Sequence, residues 1–141
     1  MHGMRTGLRH RLERSLHRIE EQHRQLREIG DELDRAVAVG SPGEIETWLS
    51  RFHLALRSHF DLEERSVFPA IHGLDESAEA QLSELEREHR DFLRALEALL
   101  TDGGGGSPST LIDALAALRE KLRAHEQREE TLVEGASDGL R

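Results

Sequence analysis

The sequence predicts an all-α fold, an antiparallel up-down-up-down bundle of four helices. Four segments place apolar residues at alternating steps of three and four, the period of a helix that buries one face. Three breaks rich in glycine, proline, serine and aspartate separate these segments. A chain of 141 residues with short connections is expected to form one domain, residues 1–141. The predicted helices span about residues 8–39, 42–72, 77–101 and 108–134.

Local signals mark the ends of the first two helices. Gly40 can end the first helix in the left-handed conformation, and Ser41-Pro42-Gly43-Glu44 has the pattern of a capping box with proline at the first helical position. Pro69 is expected to disturb the last turn of the second helix, because proline lacks the backbone N–H that a helix interior uses. The last position of that helix's buried face is either Ser66 or Val67.

Similar signals precede the third and fourth helices. Either Asp75 or Ser77 can cap the third helix. The four glycines at 103–106 predict a flexible connection to the fourth helix. They do not predict a phosphate-binding loop, because no Gly-Lys-Ser/Thr follows them.

Ionisable residues interrupt the apolar stripe of every helix in a repeated pattern. In each half of the chain, a second histidine lies 36 positions after the first, and a glutamate lies four positions after the second histidine. The six residues of this pattern are His23, His59, Glu63, His89, His125 and Glu129. Residues four apart share one helix face, so the bundle is expected to turn four imidazoles and two carboxylates inward.

A pair of metal ions is the predicted partner of these six residues. An isolated buried carboxylate costs several kcal/mol, and two facing carboxylates repel each other unless cations neutralise them. The chain has no cysteine, so nitrogen and oxygen must hold the metal. Such ligands suit iron, manganese or zinc better than calcium or magnesium. Glu64 and Glu130, which follow the two glutamates, are expected to be solvated or to support the ligands.

Two other interpretations remain open. A single histidine in an apolar stripe is usually a hydrogen-bonded core residue, and a bundle built around such residues can lack metal or hold it only structurally. In a second alternative, Glu20 and Glu86, each three residues before a histidine, would form a ferritin-like di-iron pattern with the two glutamates of the repeat. His59 and His125 would then have no role.

Composition excludes several classes of protein. The net charge of −9 and a pI near 5.5 argue against a nucleic-acid binder, which needs a basic surface. No apolar run is long enough for a membrane span or a secretory signal, so a soluble cytoplasmic protein without a membrane partner is expected. No flavin or nicotinamide fingerprint is present, so a redox reaction would need an external electron donor.

The motifs, taken in order, resemble the hemerythrin-like family, the His-His-Glu cation-binding domains. The resemblance covers about residues 12–134 and rests on Gln22-His23, His59-Phe60-Asp61-Leu62-Glu63-Glu64 with Val67-Phe68-Pro69, Glu88-His89-Arg90, and His125 to Glu130. It implies a non-haem di-iron centre with an oxo or hydroxo bridge. By the same resemblance, Glu63 and Glu129 would bridge the irons. His23 and His59 would serve one iron, and His89 and His125 the other.

At one position the chain departs from the oxygen-carrying hemerythrins, which have a second histidine one turn after the ligand of the third helix. Leu93 stands there in this sequence. The chain therefore resembles the symmetric branch with four histidines and two glutamates, which includes di-iron proteins linked to iron–sulfur cluster repair and nitric-oxide stress. Members of that branch often carry a cysteine-bearing segment, which this chain lacks.

The resemblance leaves about one coordination position open on each iron, and it implies iron in preference to manganese or zinc. The expected function is binding of dioxygen or a related small ligand, for sensing, carriage or iron handling. The alternative is a redox enzyme that acts on peroxide or nitric oxide, or an iron donor in cluster repair. The expected assembly is a monomer or a homodimer.

Overall fold

The computed structural model describes residues 2–101 and 108–139, and these residues form four helices and no strand. The side chains described are those of residues 6–101 and 109–139. The predicted glycine-rich connection at 103–106 lies outside the described residues. An all-α four-helix bundle, as predicted, is confirmed.

The helices are longer at the outer ends than the sequence pattern predicts. They are α1, His2–Val39; α2, residues 42–71; α3, Glu76–Thr101; and α4, Pro108–Gly139. The start of α1 and the end of α4 lie side by side, because Leu8 and Leu12 of α1 pack in the same apolar cluster as Val133 and Ala136 of α4. No helix in the described ranges is both long and apolar enough to span a membrane.

The helix ends follow most of the predicted signals. Gly40 has a positive φ of 78°, and its N–H donates to the carbonyl of Ala36, as expected of a glycine that ends a helix. Asp75, not Ser77, caps α3, because its Oδ1 accepts the N–H of Ala78 at 2.7 Å. The predicted capping box is wrong, because Ser41 makes no side-chain capping bond. The predicted proline at the first helical position is confirmed, since α2 begins at Pro42.

A π-helical turn interrupts α2 where the candidate ligands lie. The helix is α-helical over Pro42–Leu62, π-helical over Glu63–Val67 and α-helical again over Phe68–Ile71. Pro69 explains the wider turn, because it has no N–H to donate and its ring would clash with the carbonyl four residues earlier. The wide turn puts Val67, not Ser66, on the buried face.

The bundle core is divided into two apolar clusters with a polar level between them. One cluster contains Leu26, Phe52, Phe92 and Leu122, and the other includes Ile19. On every helix the six predicted residues stand between the segments that supply the two clusters. Apolar packing therefore fixes the four helices on both sides of the candidate site.

The register of α2 can be tested with two leucines that lie two residues apart. Leu56 is fully buried, whereas 63% of Leu54 is exposed. Leu56→Ala should lower the free energy of unfolding by about 2–5 kcal/mol, because it leaves a cavity in the core. Leu54→Ala should change it by less than ~0.5 kcal/mol. Urea denaturation measures both values, and equal losses would contradict the register described here.

Candidate metal centre

All six residues predicted from the repeat meet in the interior of the bundle. Each is buried, and the most exposed of them, His59, is only 5% exposed. Helices α1 and α3 each supply one histidine, while α2 and α4 each supply a histidine and a glutamate. The four-residue spacing places each glutamate one turn after its histidine, so both side chains point to the same level of the bundle.

The four histidines form two pairs. The ring centroids of His23 and His59 are 4.9 Å apart, and those of His89 and His125 are also 4.9 Å apart. Potential ligand atoms of the first pair, Glu63 and Glu129 all lie within 4.8 Å of one another. The second pair forms a group of three residues with Glu129 alone. These are the pairs that the family resemblance assigned to two separate metals.

Each glutamate reaches both histidine pairs. Oε1 of Glu63 lies 3.3 Å from Nε2 of His59 and 3.3 Å from Nε2 of His89. Oε1 of Glu129 lies 3.4 Å from Nε2 of His23 and 3.3 Å from Nε2 of His125. Carboxylates in these positions can be shared between two cations.

The atoms at the centre lack the partners that buried polar atoms normally have. The atoms that are buried without a hydrogen bond include Nε2 of His23, His59 and His125, both carboxylate oxygens of Glu63, and Oε1 of Glu129. Buried polar groups are nearly always hydrogen-bonded, so a cluster of unpaired polar atoms that face one point requires another explanation. A cation with nitrogen and oxygen ligands would satisfy all of them, so these residues fit a metal site.

Burial also controls the charges in the centre. It raises the pKa of the Glu63 carboxyl well above its usual range, and the negative charge of Glu129 raises it further. Burial likewise opposes ionisation of Glu129, but the polar groups of Glu63 and of three histidines around it outweigh burial and hold the pKa of Glu129 well below its usual range. Burial lowers the pKa of His59 to about 3. Without a cation, therefore, the two glutamates share one proton and His59 is neutral.

The outward-facing nitrogen of every histidine has a hydrogen-bond partner. Nδ1 of His59 lies 2.5 Å from Gln22 Oε1, and Nδ1 of His125 lies 2.8 Å from Glu88 Oε1. The corresponding acceptors are Glu64 for His89, at 3.2 Å, and Glu130 for His23, at 3.1 Å. When Nδ1–H donates outward, Nε2 keeps a free lone pair that points to the centre.

Sequence reasoning did not assign Gln22 and Glu88, although a signal for them exists. Each immediately precedes a repeat histidine, and an offset of 66 residues relates them, as it relates His23 to His89. Glu64 and Glu130 are related by the same offset and support ligands, one of the two roles expected of them.

One pair of equivalent positions breaks the symmetry. Glu126 is buried, and its Oε2 lies 3.3 Å from Nδ1 of His23 and 3.6 Å from Arg27. The equivalent residue in the first half is Phe60, whose ring stacks on His89 at 3.8 Å. The sequence pattern did not identify either contact.

The ferritin-like alternative does not form. Glu20 is exposed, and the Glu86 carboxylate lies 3.6 Å from Nε2 of His72 at the surface. Neither belongs to the buried cluster. Leu93 is half-buried and packs against the apolar cluster that contains Phe92, so it gives the centre no further ligand atom.

Comparison with known families agrees with this geometry. Residues 14–136 match the family model described as the hemerythrin HHE cation binding domain, and this range includes all six residues of the centre. No curated protein and no solved structure shows significant similarity to the chain. The family match and the buried His/Glu cluster together indicate a metal-binding domain.

The raised pKa of Glu63 leads to a prediction for the metal-free protein. Between the usual and the raised pKa, folded Glu63 keeps a proton that the unfolded chain has lost, so its contribution to stability falls as the pH rises. Glu63→Gln resembles the protonated form and should remove this fall. The metal-free variant should melt at or above the wild-type temperature at neutral pH.

Added metal should distinguish Glu63→Gln from the wild type. Binding at a hundredfold excess over Kd stabilises a protein by about 2.7 kcal/mol, and the variant should lose most of this gain. Melting curves with and without metal measure both effects. Glu46→Gln, an exposed change on the same helix, is the control and should match the wild type. A destabilised metal-free variant that keeps the metal-induced shift would contradict the assignment.

Two histidines of α2 provide a matched test of the ligand set. His59→Ala should remove a ligand and weaken metal binding by more than the ~10–100-fold typical of supporting residues. His53 lies six residues earlier, with its Nε2 3.4 Å from a Glu97 oxygen at the surface, so His53→Ala should leave metal affinity unchanged. Metal titration of each variant measures the difference, and equal losses would exclude His59 as a specific ligand.

Proposed function

Because this chain belongs to the hemerythrin HHE cation-binding domain family, we propose that it holds two iron ions and binds dioxygen or a related small ligand beside them. The observation that carries the proposal is the sharing of two buried carboxylates between two histidine pairs. Glu63 and Glu129 each approach a histidine of both pairs. A single metal would leave one pair without a purpose.

The residues have separate tasks in this proposal. Four imidazole Nε2 atoms and two carboxylates would hold the metals, and each metal would keep a position for a small ligand. Gln22, Glu64, Glu88 and Glu130 hold the imidazoles in one orientation through Nδ1. The two apolar clusters exclude water on either side. Iron would supply reversible one-electron chemistry and an affinity for diatomic ligands.

The proposed function favours iron over zinc, and the family resemblance favours iron over manganese. The same nitrogen and oxygen ligands accept all three metals, but zinc has no redox chemistry. Sensing, carriage and iron handling all require a centre that takes up and releases a ligand or an ion.

The proposal also includes the partners and the location of the protein. The net charge of −9 supports a protein that does not bind nucleic acid, and we propose a cytoplasmic location.

Metal analysis and optical spectroscopy test this proposal directly. The purified protein should contain about two irons per chain and absorb in the near ultraviolet, as oxygen-bridged ferric pairs do. A colourless protein with a single zinc would contradict it. Added to the reduced protein, dioxygen should give a stable coloured adduct. Rapid oxidation with consumption of peroxide would instead indicate a redox enzyme.

A further inference from the structure

Two clefts flank the candidate centre, and the internal repeat relates them. The α1–α2 cleft is lined by Gln22, Ser58 and Leu62, among others. An offset of 66 residues turns these into Glu88, Ala124 and Arg128, which line a cleft between α3 and α4. The two clefts therefore occupy equivalent places in the two halves of the bundle, and each serves as a reference for the other.

An ion pair lies across the α3–α4 cleft. The Arg128 guanidinium donates to Glu88 Oε1, which also accepts the Nδ1–H of His125 at 2.8 Å. Behind this pair His125 is completely buried, and it is not among the residues that line the cleft. The volume of this cleft is about 340 Å³.

The α1–α2 cleft lacks that closure. Gln22 and Leu62 replace the charged pair, and an amide and an aliphatic side chain cannot form an ion pair. His59 itself lines this cleft and is the most exposed of the four histidines. The cleft volume is about 660 Å³, roughly twice that of its counterpart. A solute in this cleft can contact the His59 ring, although the Nε2 atom of that ring is buried.

The π-helical turn of α2 contributes to the difference. Arg65 and Ser66 of this turn line the α1–α2 cleft, together with the exposed Asp61 that precedes it. Helix α4 has no such turn within Pro108–Gly139, so the same widening is missing on its side. Asp61, Ser58 and Gln22 contribute oxygen atoms to the α1–α2 cleft, and such atoms suit a hydrated cation. Asp61 also pairs with Arg65 at 3.2 Å, but both residues lie on α2, so this ion pair does not cross the cleft to α1.

We propose that metal ions load into and leave the centre through the α1–α2 cleft, with His59 as the first ligand they meet. The Glu88–Arg128 ion pair closes the equivalent route on the other side. This inference rests on the proposed function, because it requires a metal centre. It specifies the side of the bundle from which metal enters, which the ligand set alone does not reveal. It also implies that metal exchanges faster through one half of the symmetric site than through the other.

The route can be tested by adding the ion pair to the α1–α2 cleft and, in a separate variant, removing it from the α3–α4 cleft. The double variant Gln22→Glu/Leu62→Arg copies the ion pair into the α1–α2 cleft, and Glu88→Gln/Arg128→Leu removes it from the other. Iron(II) uptake by the metal-free protein and iron(II) release to an excess of a chromophoric chelator are followed without oxygen. The first variant should slow both rates about tenfold, which corresponds to an added barrier of about 1.4 kcal/mol. The second should accelerate both.

Following both rates separates access from ligand strength. A blocked route slows uptake and release by the same factor. The cleft-wall variant Ser58→Trp leaves every residue that holds an imidazole in place, so it should also leave Kd and the number of irons unchanged. A strengthened His59 ligand would slow release alone, and that result would overturn the proposal. Unchanged rates in the first variant would also overturn it. A wild-type chain that takes up no iron would instead remove the metal centre, so the two failures are distinguishable.

A second pair of variants covers the case in which the charged variant does not fold. Ser58 and Ala124 are equivalent exposed residues on the two cleft walls, where a large side chain can be accommodated. Ser58→Trp should slow iron uptake and release, whereas Ala124→Trp should leave both at the wild-type rates. Equal effects of the two substitutions would overturn the proposed route.

Discussion

The burial of two glutamates at the same level of the bundle is the constraint on which the rest of the structure depends. Glu63 and Glu129 are almost completely removed from solvent, and burial strongly opposes the ionisation of both. Four histidines surround them, and apolar clusters on both sides fix the helices that carry them. A fold that buries so much unpaired polarity must offset the cost with a ligand, which is why the cluster indicates metal rather than packing.

Support for the histidines follows the same two-fold plan as the histidines themselves. The residue before each single histidine and the residue after each glutamate accept a hydrogen bond from an imidazole of another helix. Every such bond joins two helices, so ligand orientation and helix packing depend on one set of contacts. The two halves differ at two positions around the centre. Gln22 occupies the position equivalent to Glu88, and Phe60 occupies the position equivalent to Glu126. These differences give a nearly symmetric centre two distinguishable sides.

The asymmetry matters for function because a metal centre needs access as well as ligands. The position of Leu93, half-buried in the apolar cluster, leaves the ligand set with four histidines. In the proposed metal centre, open coordination positions have to be reached from solvent. One side of the bundle is closed by an ion pair over a buried histidine, and the other presents His59 in a cleft. Small changes in residues that never touch the metal can therefore set how fast it is reached.

The sequence by itself determined the fold class and the six residues that meet in the core, because both follow from periodicity within single helices. It also indicated Gly40 as a helix end and either Asp75 or Ser77 as a helix cap, since these signals are local, and the structure then selected Asp75. The register between helices, the π-helical turn and the Nδ1 partners were decided only by the tertiary structure. Gln22 and His59 lie on different helices, and their contact depends on how α1 packs against α2. Spacing along one helix describes which residues share a face, but only packing decides what that face meets.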